Sequence, residues 1–176
     1  MLTSRIATLD DLPDLKALMA LAIGELQRGF LTPEEIEASR AVMGLDTQLV
    51  RDGTYFVIES EGKLAGCGGW SRRATLYGGD HSADLREPRV LDPATEAARV
   101  RAMYTHPDFV RRGVGGMIID MAERAAQAEG FTRTELMATL SGEPLYRRCG
   151  YEEIERVFAE VGELRVPLIR MGKALK

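Results

Sequence analysis

The sequence predicts a mixed α/β (α+β) fold, with a central sheet of about seven strands and four or so helices. Short segments rich in β-branched and aromatic residues alternate with longer segments of helical period. At the centre of the chain, a β-rich segment, a glycine-rich turn, a helical segment and a second β-rich segment follow one another, which predicts a parallel crossover. The length of 176 residues, 45% of them hydrophobic, suits one domain over residues 1–176.

The N-terminal part, residues 1–53, is predicted to form a strand followed by a pair of helices. Residues 4–9 have strand character, and residues 10–27 place leucine, isoleucine and methionine at helical spacing. Residues 32–43 begin with Thr-Pro-Glu-Glu, which combines a capping box with proline at the first helical position. Asp46 can then open one further short turn.

The rest of the chain alternates strands and helices around one long polar segment. Residues 72–96 are interrupted by glycine and proline, and a loop of this length in a small domain is usually functional or mobile. The helix predicted at 113–129 carries one apolar stripe and ends at Gly130. The other predicted elements are strands at 54–59, 64–71, 98–105, 132–138, 151–158 and 164–171, and a short helix at 143–148.

Composition and charge argue against several classes of partner. The net charge of -4 disfavours a nucleic-acid ligand, which calls for a basic surface, and slightly favours a cationic one through steering. Cys67 and Cys149 form no CxxC pair, so we expect no metal site or disulfide framework and a reducing, cytoplasmic setting. No signal peptide is evident and no apolar run approaches the ~20 residues of a membrane span, so no membrane partner is expected.

The turn before the predicted helix at 113–129 is the most informative segment of the chain. It reads Arg111-Arg112-Gly113-Val114-Gly115-Gly116. The first N–H groups of a helix have no partner within it, and the helix dipole favours negative charge there. Glycine allows close approach and arginine adds charge-assisted hydrogen bonds, so the segment predicts a pyrophosphate site. On this turn alone, a glycine-rich helix entry with two solvated arginines explains the pattern equally well.

Two segments together resemble the motifs of the Gcn5-related N-acetyltransferase (GNAT) family. The family's pyrophosphate turn, Q/R-x-x-G-x-G/A, is similar to residues 110–115 in both glycines, whereas Val110 stands where the family has Gln or Arg. The family's second segment, N-x-x-A-x-x-L-Y-x-x-x-G-F/Y, is similar to residues 139–151 in its Leu-Tyr pair and its final Gly-Tyr pair. In that segment Thr139 stands for Asn and Gly142 for Ala.

The resemblance covers about residues 54–171 and implies an acyl-CoA N-acyltransferase-like fold whose central parallel strands splay apart. The exposed edge of the first of these strands would bind pantetheine like an added strand. Tyr146 is implied as the general acid for the leaving thiolate, although an aromatic packing role is the alternative, and a backbone N–H near Tyr104 would polarise the thioester carbonyl. The residues implied in coenzyme A binding are Met103, Tyr104, Thr105, Arg111, Arg112, Gly113, Val114, Gly115, Gly116 and Thr139.

The resemblance also implies an activity. We expect an N-acetyltransferase that uses acetyl-CoA as co-substrate and transfers the acetyl group to a primary amine by direct attack in a ternary complex. The acceptor would be a small molecule or a peptide amine, and a homodimer, common among relatives, stays open. Two alternatives also stay open: a non-catalytic domain that senses acyl-CoA, and an interaction domain that binds no ligand.

The residue that accepts the proton of the amine is not identified by the sequence. Some relatives carry Glu in the strand before the pyrophosphate turn, where this chain has Arg99 and Arg101. His106 precedes a proline and is expected to be a turn residue. The open candidates for the base are Glu59, Asp80, His81 and Glu96.

Overall fold

The computed structural model describes residues 1–176 and contains one seven-stranded sheet and five α-helices. Three short 3-10 turns lie at Leu9–Asp11, Ala83–Leu85 and Pro107–Phe109. The elements in chain order are β1 Leu2–Ile6, α1 Leu12–Leu26, α2 Pro33–Ser39, α3 Thr47–Arg51, β2 Tyr55–Ser60, β3 Lys63–Ser71, β4 Ala98–Thr105, α4 Val114–Ala128, β5 Arg133–Thr139, α5 Glu143–Arg148, β6 Glu152–Val161 and β7 Leu164–Ala174.

The sheet is mixed, and its only parallel pair lies at the centre. The strand order is β1-β2-β3-β4-β5-β7-β6, and every neighbouring pair is antiparallel except β4 and β5. Helix α4 makes the crossover between these two parallel strands, as a right-handed connection of this kind requires. The mixed α/β class, the seven strands and the central crossover predicted from the sequence are therefore confirmed.

The two parallel strands stay paired only at their beginning. Cα pairing joins Ala98 to Thr134 and Arg99 to Glu135, and no pair follows along β4 and β5. Strand β5 nevertheless remains paired with β7 as far as Thr139, and β4 remains paired with β3. The splay predicted through the family resemblance is thus present, and it leaves backbone groups of β4 and β5 without a ladder partner.

A bulge in β4 marks the place where the strands separate. Ala102 has φ 51°, and the register between β3 and β4 shifts between Cys67 and Gly69. A side-chain-bearing residue in the left-handed region is uncommon within a strand and costs free energy on the order of 1 kcal/mol. The Tyr55 hydroxyl donates a 2.5 Å hydrogen bond to the Ala102 carbonyl, which helps to hold the bulge.

Two apolar layers sandwich the sheet and fix the position of the central strands. On one face, Ile119 and Ala122 of α4 pack with Val100 and Leu136 of the two parallel strands. On the other face, α1 supplies a stripe that packs against Tyr104 and its neighbours; the buried members are Leu15, Leu18, Met19, Ala22 and Ile23. Burial on both faces explains why β4 is apolar apart from its arginines.

Some element boundaries differ from those predicted. Helix α2 ends at Ser39, before the expected Met43, and the Ser39 hydroxyl donates back to the Ile36 carbonyl at 2.6 Å. Strand β6 runs on to Val161 because it forms one long hairpin with β7 around Gly162, which has φ 59°. Strand β7 runs on to Ala174, which pairs with Arg133 of β5. No helix has the length and apolar character needed to cross a membrane.

Candidate active site

The glycine-bearing turn leads directly into the first turn of α4. Arg111 has φ 60° and Gly113, the N-terminal cap of α4, has φ 87°. Both conformations are left-handed, and two such residues allow the chain to reverse within a few residues. His106 caps the preceding 3-10 turn, since its Nδ1 accepts the Asp108 N–H at 3.0 Å. The turn therefore leaves the start of α4 open to solvent.

The backbone N–H groups of Gly113, Val114, Gly115 and Gly116 make no hydrogen bond in the structure. The first intrahelical bond of this turn is donated by Met117 to the Gly113 carbonyl at 3.0 Å. Free donors at a helix N-terminus form a cradle for an anion. The exposed Arg111 and Arg112 lie on the same turn, so the predicted pyrophosphate residues are brought together.

The edge of β4 that faces the gap also offers free backbone groups. The His106 N–H donates to the Ala65 carbonyl at 2.8 Å, towards β3. Because successive residues of a strand direct their N–H and C=O groups to opposite edges, those of Thr105 face β5. Strand β5 has already moved away at this point. An extended amide-containing ligand can therefore pair with β4 in the gap.

A cavity of about 80 Å³ lies in the gap between the splayed strands. Met103 and Tyr104 of β4 line it from one side, and Met137 and Thr139 of β5 line it from the other. The cavity is also lined by Tyr146 of α5, by Leu168 of β7, by further residues of β4 and β5, and by two connecting segments, residues 42–44 and 76–78. Thus four of the predicted cofactor and catalytic residues meet in one cavity, together with segments that the sequence did not link to it.

Tyr146 is placed in the cavity by the short helix α5. Its hydroxyl lies 3.8 Å from the Met103 Sδ atom and makes no other hydrogen bond, so it faces the gap from the far side. Its ring packs edge-on against Tyr151, with the ring centroids 6.2 Å apart. Burial raises the pKa of Tyr146 to about 12, which keeps the phenol protonated at neutral pH.

Thr139 organises the connection from β5 to α5. Its Oγ1 accepts the Gly142 N–H at 3.2 Å and lies 3.1 Å from the Ser141 Oγ atom. A hydroxyl in this position holds the first turn of α5 and hence the helix that carries Tyr146. The position at which the family has Asn is therefore filled by another polar side chain that lines the cavity.

The Tyr104 side chain points away from the coenzyme side and into the α1 core. Its hydroxyl accepts the Gly44 N–H at 2.8 Å, and burial raises the pKa of Tyr104 well above its usual value. This contact fastens the segment around Gly44 to the central strand. The Tyr104 backbone pairs with Cys67 of β3, so the backbone groups that face the gap are those of its neighbour Thr105.

None of the four candidate bases lies in the cavity, whose lining contains no carboxylate and no histidine. Asp80 accepts the Thr47 N–H at 2.8 Å, and His81 donates from Nε2 to the Arg40 carbonyl at 2.6 Å. Both residues line a separate cavity on the α1 side. Glu59 and Glu96 are paired with Arg5 and Arg89 at 2.7 and 3.0 Å, away from the gap.

The long segment 72–96 is tied down at several points. Arg73 pairs with Asp52 at 2.7 Å, and the Ser82 hydroxyl donates to the Ala41 carbonyl at 2.7 Å. Together with the Asp80 and His81 contacts, these bonds fix the segment against the connection between α2 and α3. Residues 76–78 consequently form a fixed wall of the cavity, in place of a detached flap.

The sequence did not indicate a buried charged cluster behind this wall. Arg101 of β4 pairs with Asp46, the N-cap of α3, at 3.0 Å, and their side chains are only 2% and 1% exposed. Arg86 approaches the same carboxylate at 3.2 Å. The only available signal was an arginine in an otherwise apolar strand. In the sequence, Asp46 is 55 residues from Arg101 and 40 residues from Arg86.

The comparison with known families decides the assignment. The family model described as "Acetyltransferase (GNAT) domain" matches residues 51–153, from the end of α3 to the start of β6. This chain belongs to the GNAT family. The matched range contains the glycine turn, the splayed strands and Tyr146, so the features that bring the site together are those of a GNAT domain. None of the curated proteins compared with the chain matches it.

Solved structures of other GNAT proteins share this fold along nearly the whole chain. A GCN5-related N-acetyltransferase from Rhodopseudomonas palustris superposes with TM-score 0.73, 20% identity and coverage of 98% of this chain and 95% of the other. PaiA N-acetyltransferase from Thermoplasma acidophilum, solved with coenzyme A, superposes with TM-score 0.63 and 12% identity, and the match covers 99% of this chain and 99% of the other. YncA from Salmonella typhimurium, a putative acetyltransferase solved with acetyl-CoA, superposes with TM-score 0.65 and 13% identity, and the match covers 99% of this chain and 94% of the other.

Proposed function

We propose that this GNAT protein is an acetyl-CoA-dependent N-acetyltransferase that acetylates a primary amine by direct attack in a ternary complex. One observation carries the proposal: β4 and β5 part beyond Arg99, Tyr146 lines the cavity between them, and β4 leads through one turn to four free N–H groups at the start of α4. A diphosphate-linked thioester needs an anion cradle at one end and a proton donor at the other. Two of the similar structures contain coenzyme A or acetyl-CoA, which supports this choice of co-substrate.

The chain's own groups suit the three parts of this co-substrate. The N–H groups of residues 113–116, with Arg111 and Arg112, would hold the diphosphate by charge-assisted hydrogen bonds. The free edge of β4 around Thr105 would pair with the two amides of pantetheine, as an added strand does. Thr139 lines the opposite side of the gap and offers a hydroxyl. These contacts would place the thioester beside Tyr146.

Transfer then requires a polarised carbonyl, a neutral amine and a proton for the leaving sulfur. The bulge at Ala102 takes this part of β4 out of regular pairing with β3, and we propose that an N–H near Tyr104 stabilises the oxyanion. The amine nitrogen forms the new C–N bond while the C–S bond breaks, and Tyr146 gives its proton to the thiolate. The amine's own proton leaves to water, since no carboxylate or histidine lines the cavity.

The setting that we propose is one domain working in the cytoplasm on a small-molecule or peptide amine. Cys67 and Cys149 are both free thiols, which suits a reducing compartment. The described residues contain no cluster of three or more His, Cys, Asp or Glu side chains that could hold a metal ion. The chemistry above uses only a phenol and backbone groups.

A binding experiment tests the cradle independently of the acceptor. Thermal unfolding should be followed with coenzyme A and, as the matched control, with pantetheine, which lacks the nucleotide diphosphate. Coenzyme A at 100 times its Kd should add about 2.7 kcal/mol to the free energy of unfolding. At the same concentration pantetheine should add much less. Equal effects of both ligands, or no effect of coenzyme A, would contradict the proposed cradle.

Turnover distinguishes the transferase from a sensor. Release of the coenzyme A thiol from acetyl-CoA should be measured with a panel of primary amines, and the acetylated products identified by mass. Binding of coenzyme A without turnover on any amine would make the protein a non-catalytic acyl-CoA sensor. If the protein neither binds coenzyme A nor acetylates any amine, only the alternative of an interaction domain without a ligand is left.

A further inference from the structure

One charged residue of the cavity lining, Arg101, belongs to a largely buried cluster with an excess of positive charge. Two guanidinium groups, those of Arg86 and Arg101, share one carboxylate, that of Asp46, at 3.2 and 3.0 Å. With every group in its usual ionised form, the cluster carries one net positive charge. The side chains of Asp46 and Arg101 are almost completely excluded from water, so this charge is weakly screened by solvent.

The cluster also has a hydrogen-bond donor that nothing in the protein satisfies. The Arg86 Nη1 atom is buried and has no hydrogen-bond partner. Arg101 donates to the Gly78 carbonyl at 2.9 Å and to Asp46 at 3.0 Å, so the unsatisfied donor belongs to Arg86. Buried donors without acceptors and an unbalanced buried charge are both costly in a folded protein. Such groups are commonly completed by an anion.

Arg101 connects this cluster to the reaction cavity. Arg101 and Gly78 both line it, together with Tyr77 and Gly44. The remaining lining is apolar or hydroxylic, and no acidic side chain is present to offset the arginine. Burial lowers the pKa of Arg101, and its contact with Asp46 only partly offsets this effect. Arg101 is therefore the only charged side chain in the lining, and the electrostatic field that it contributes to the cavity is positive.

We infer that the acceptor is a small primary amine that also carries a carboxylate, whose charge is held by Arg101 with the support of Arg86. This inference rests on the proposed transferase function and narrows its substrate class. Amines with a second positive charge, such as polyamines, are repelled by the same field. The local charge outweighs the acidic balance of the whole chain, because charges beyond about 8–10 Å are largely screened at physiological salt.

The test uses pairs of acceptors related by loss of the carboxylate, and kcat/KM is compared for the neutral form of each amine, because the carboxylate also lowers the pKa of the neighbouring amine. L-Leucine is compared with 3-methylbutylamine, L-methionine with 3-(methylthio)propylamine, and L-phenylalanine with phenethylamine, while spermidine serves as the cationic probe. Thiol release and product mass give kcat/KM for each. We expect the carboxylate member of at least one pair to be favoured about tenfold or more, as one uncompensated charge at this depth would produce. Spermidine should be the poorest acceptor.

Two arginine variants show whether the cluster causes the preference. Arg86→Met removes the excess charge and leaves Asp46 paired with Arg101, so the fold is retained. The matched control is Arg89→Met, on the same segment, where Arg89 is exposed and paired with Glu96. The carboxylate preference should fall about tenfold in Arg86→Met and persist in Arg89→Met.

The outcomes separate this inference from the proposed function. Amines that react as well as their carboxylate partners, or a preference that survives in Arg86→Met, would overturn the inference while leaving the transferase intact. If coenzyme A binds but no member of any pair is acetylated, the inference also fails and the coenzyme A site stands. If coenzyme A does not stabilise the protein, the proposed function is contradicted, and the inference about the acceptor fails with it.

Discussion

Leu145 packs on Gly115 so closely that a Cβ on residue 115 would overlap the Leu145 Cδ2 atom. This contact joins the helix start that carries the free N–H groups to the short helix that carries Tyr146. The two sequence motifs are about 30 residues apart in the chain, yet they form one rigid unit. The distance between the anion cradle and the phenol is thereby fixed by packing.

Gly115→Ala should destabilise the protein by about 1–3 kcal/mol, because the new methyl group forces Leu145 out of its position. Urea unfolding measures the change. The matched control is Gly116→Ala, where no atom lies within 4 Å of the added Cβ; there the helix should gain about 0.5–1 kcal/mol. Adding Leu145→Ala to Gly115→Ala should relieve the overlap, and a strictly additive double variant would show that this contact is not the cause.

Tyr146→Phe should lower kcat by about 10²–10⁴-fold and leave the affinity for coenzyme A unchanged, because only the proton donor is lost. Steady-state kinetics and a binding isotherm provide the two measurements. Tyr151→Phe is the contrasting variant, since its hydroxyl bonds to Thr134 at 2.7 Å and Glu123 at 2.9 Å. The Tyr151→Phe substitution should lower the free energy of unfolding and have little effect on kcat. Unchanged turnover in Tyr146→Phe would remove this residue from the mechanism.

The pH dependence of the reaction should follow the acceptor. Because no carboxylate or histidine lines the cavity, kcat/KM should rise about tenfold per pH unit until the acceptor amine is neutral. The pKa of Tyr146 is raised to about 12, so the acid form of the phenol persists and no falling limb should appear below about pH 11. A pH–rate profile with two amines of different pKa checks this. An inflection that stays between pH ~4 and ~7 with both amines would reveal a protein base.

Asp46→Asn should destabilise the protein by about 3–5 kcal/mol, because it leaves the two arginines of the buried cluster without a counter-charge. The helix cap survives, since the Asn oxygen can still accept the Gln48 N–H. Denaturant unfolding measures the loss, with Asp120→Asn as the control. Asp120 is 61% exposed and pairs with Arg124, so its change should stay within about 1 kcal/mol.

Combining Asp46→Asn with Arg86→Met gives a further check of that explanation. Removal of one arginine along with the carboxylate lowers the buried charge from two to one, and part of the stability should return. If the double variant is as unstable as the sum of the single variants, repulsion between the arginines is not the reason for the loss.

Local signals in the sequence were sufficient for most elements and for the cradle. Strand β4 and helix α5 have the predicted bounds, because each is delimited by strong turn and cap residues such as Pro107 and Gly150. The glycine turn could be read in the same way, since free N–H groups at a helix start depend only on the chain within a few residues. Helix α2 was overextended by four residues because the bond from Ser39 to Ile36 competes locally with helix propensity.

The acceptor side could not be obtained from local pattern. The Asp46, Arg86 and Arg101 side chains come from three distant parts of the chain, and nothing in their sequence context indicates that they meet. The candidate bases failed to reach the cavity for the same reason: Asp80 and His81 lie near it in sequence, but their bonds to Thr47 and Arg40 hold them on the other side of the segment around Gly44.

The sequence by itself therefore determined most elements, the family resemblance and the two motifs that contain the proposed cradle and Tyr146, since each depends on neighbouring residues or a motif of fixed spacing. Only the tertiary structure decided that β4 and β5 part after Arg99, that Leu145 packs the two motifs together, and that Arg101 in the cavity lining belongs to a buried charged cluster. Long-range packing and charge burial bring together residues that are far apart in the chain, and their energies depend on the exclusion of water, which no short stretch of sequence specifies.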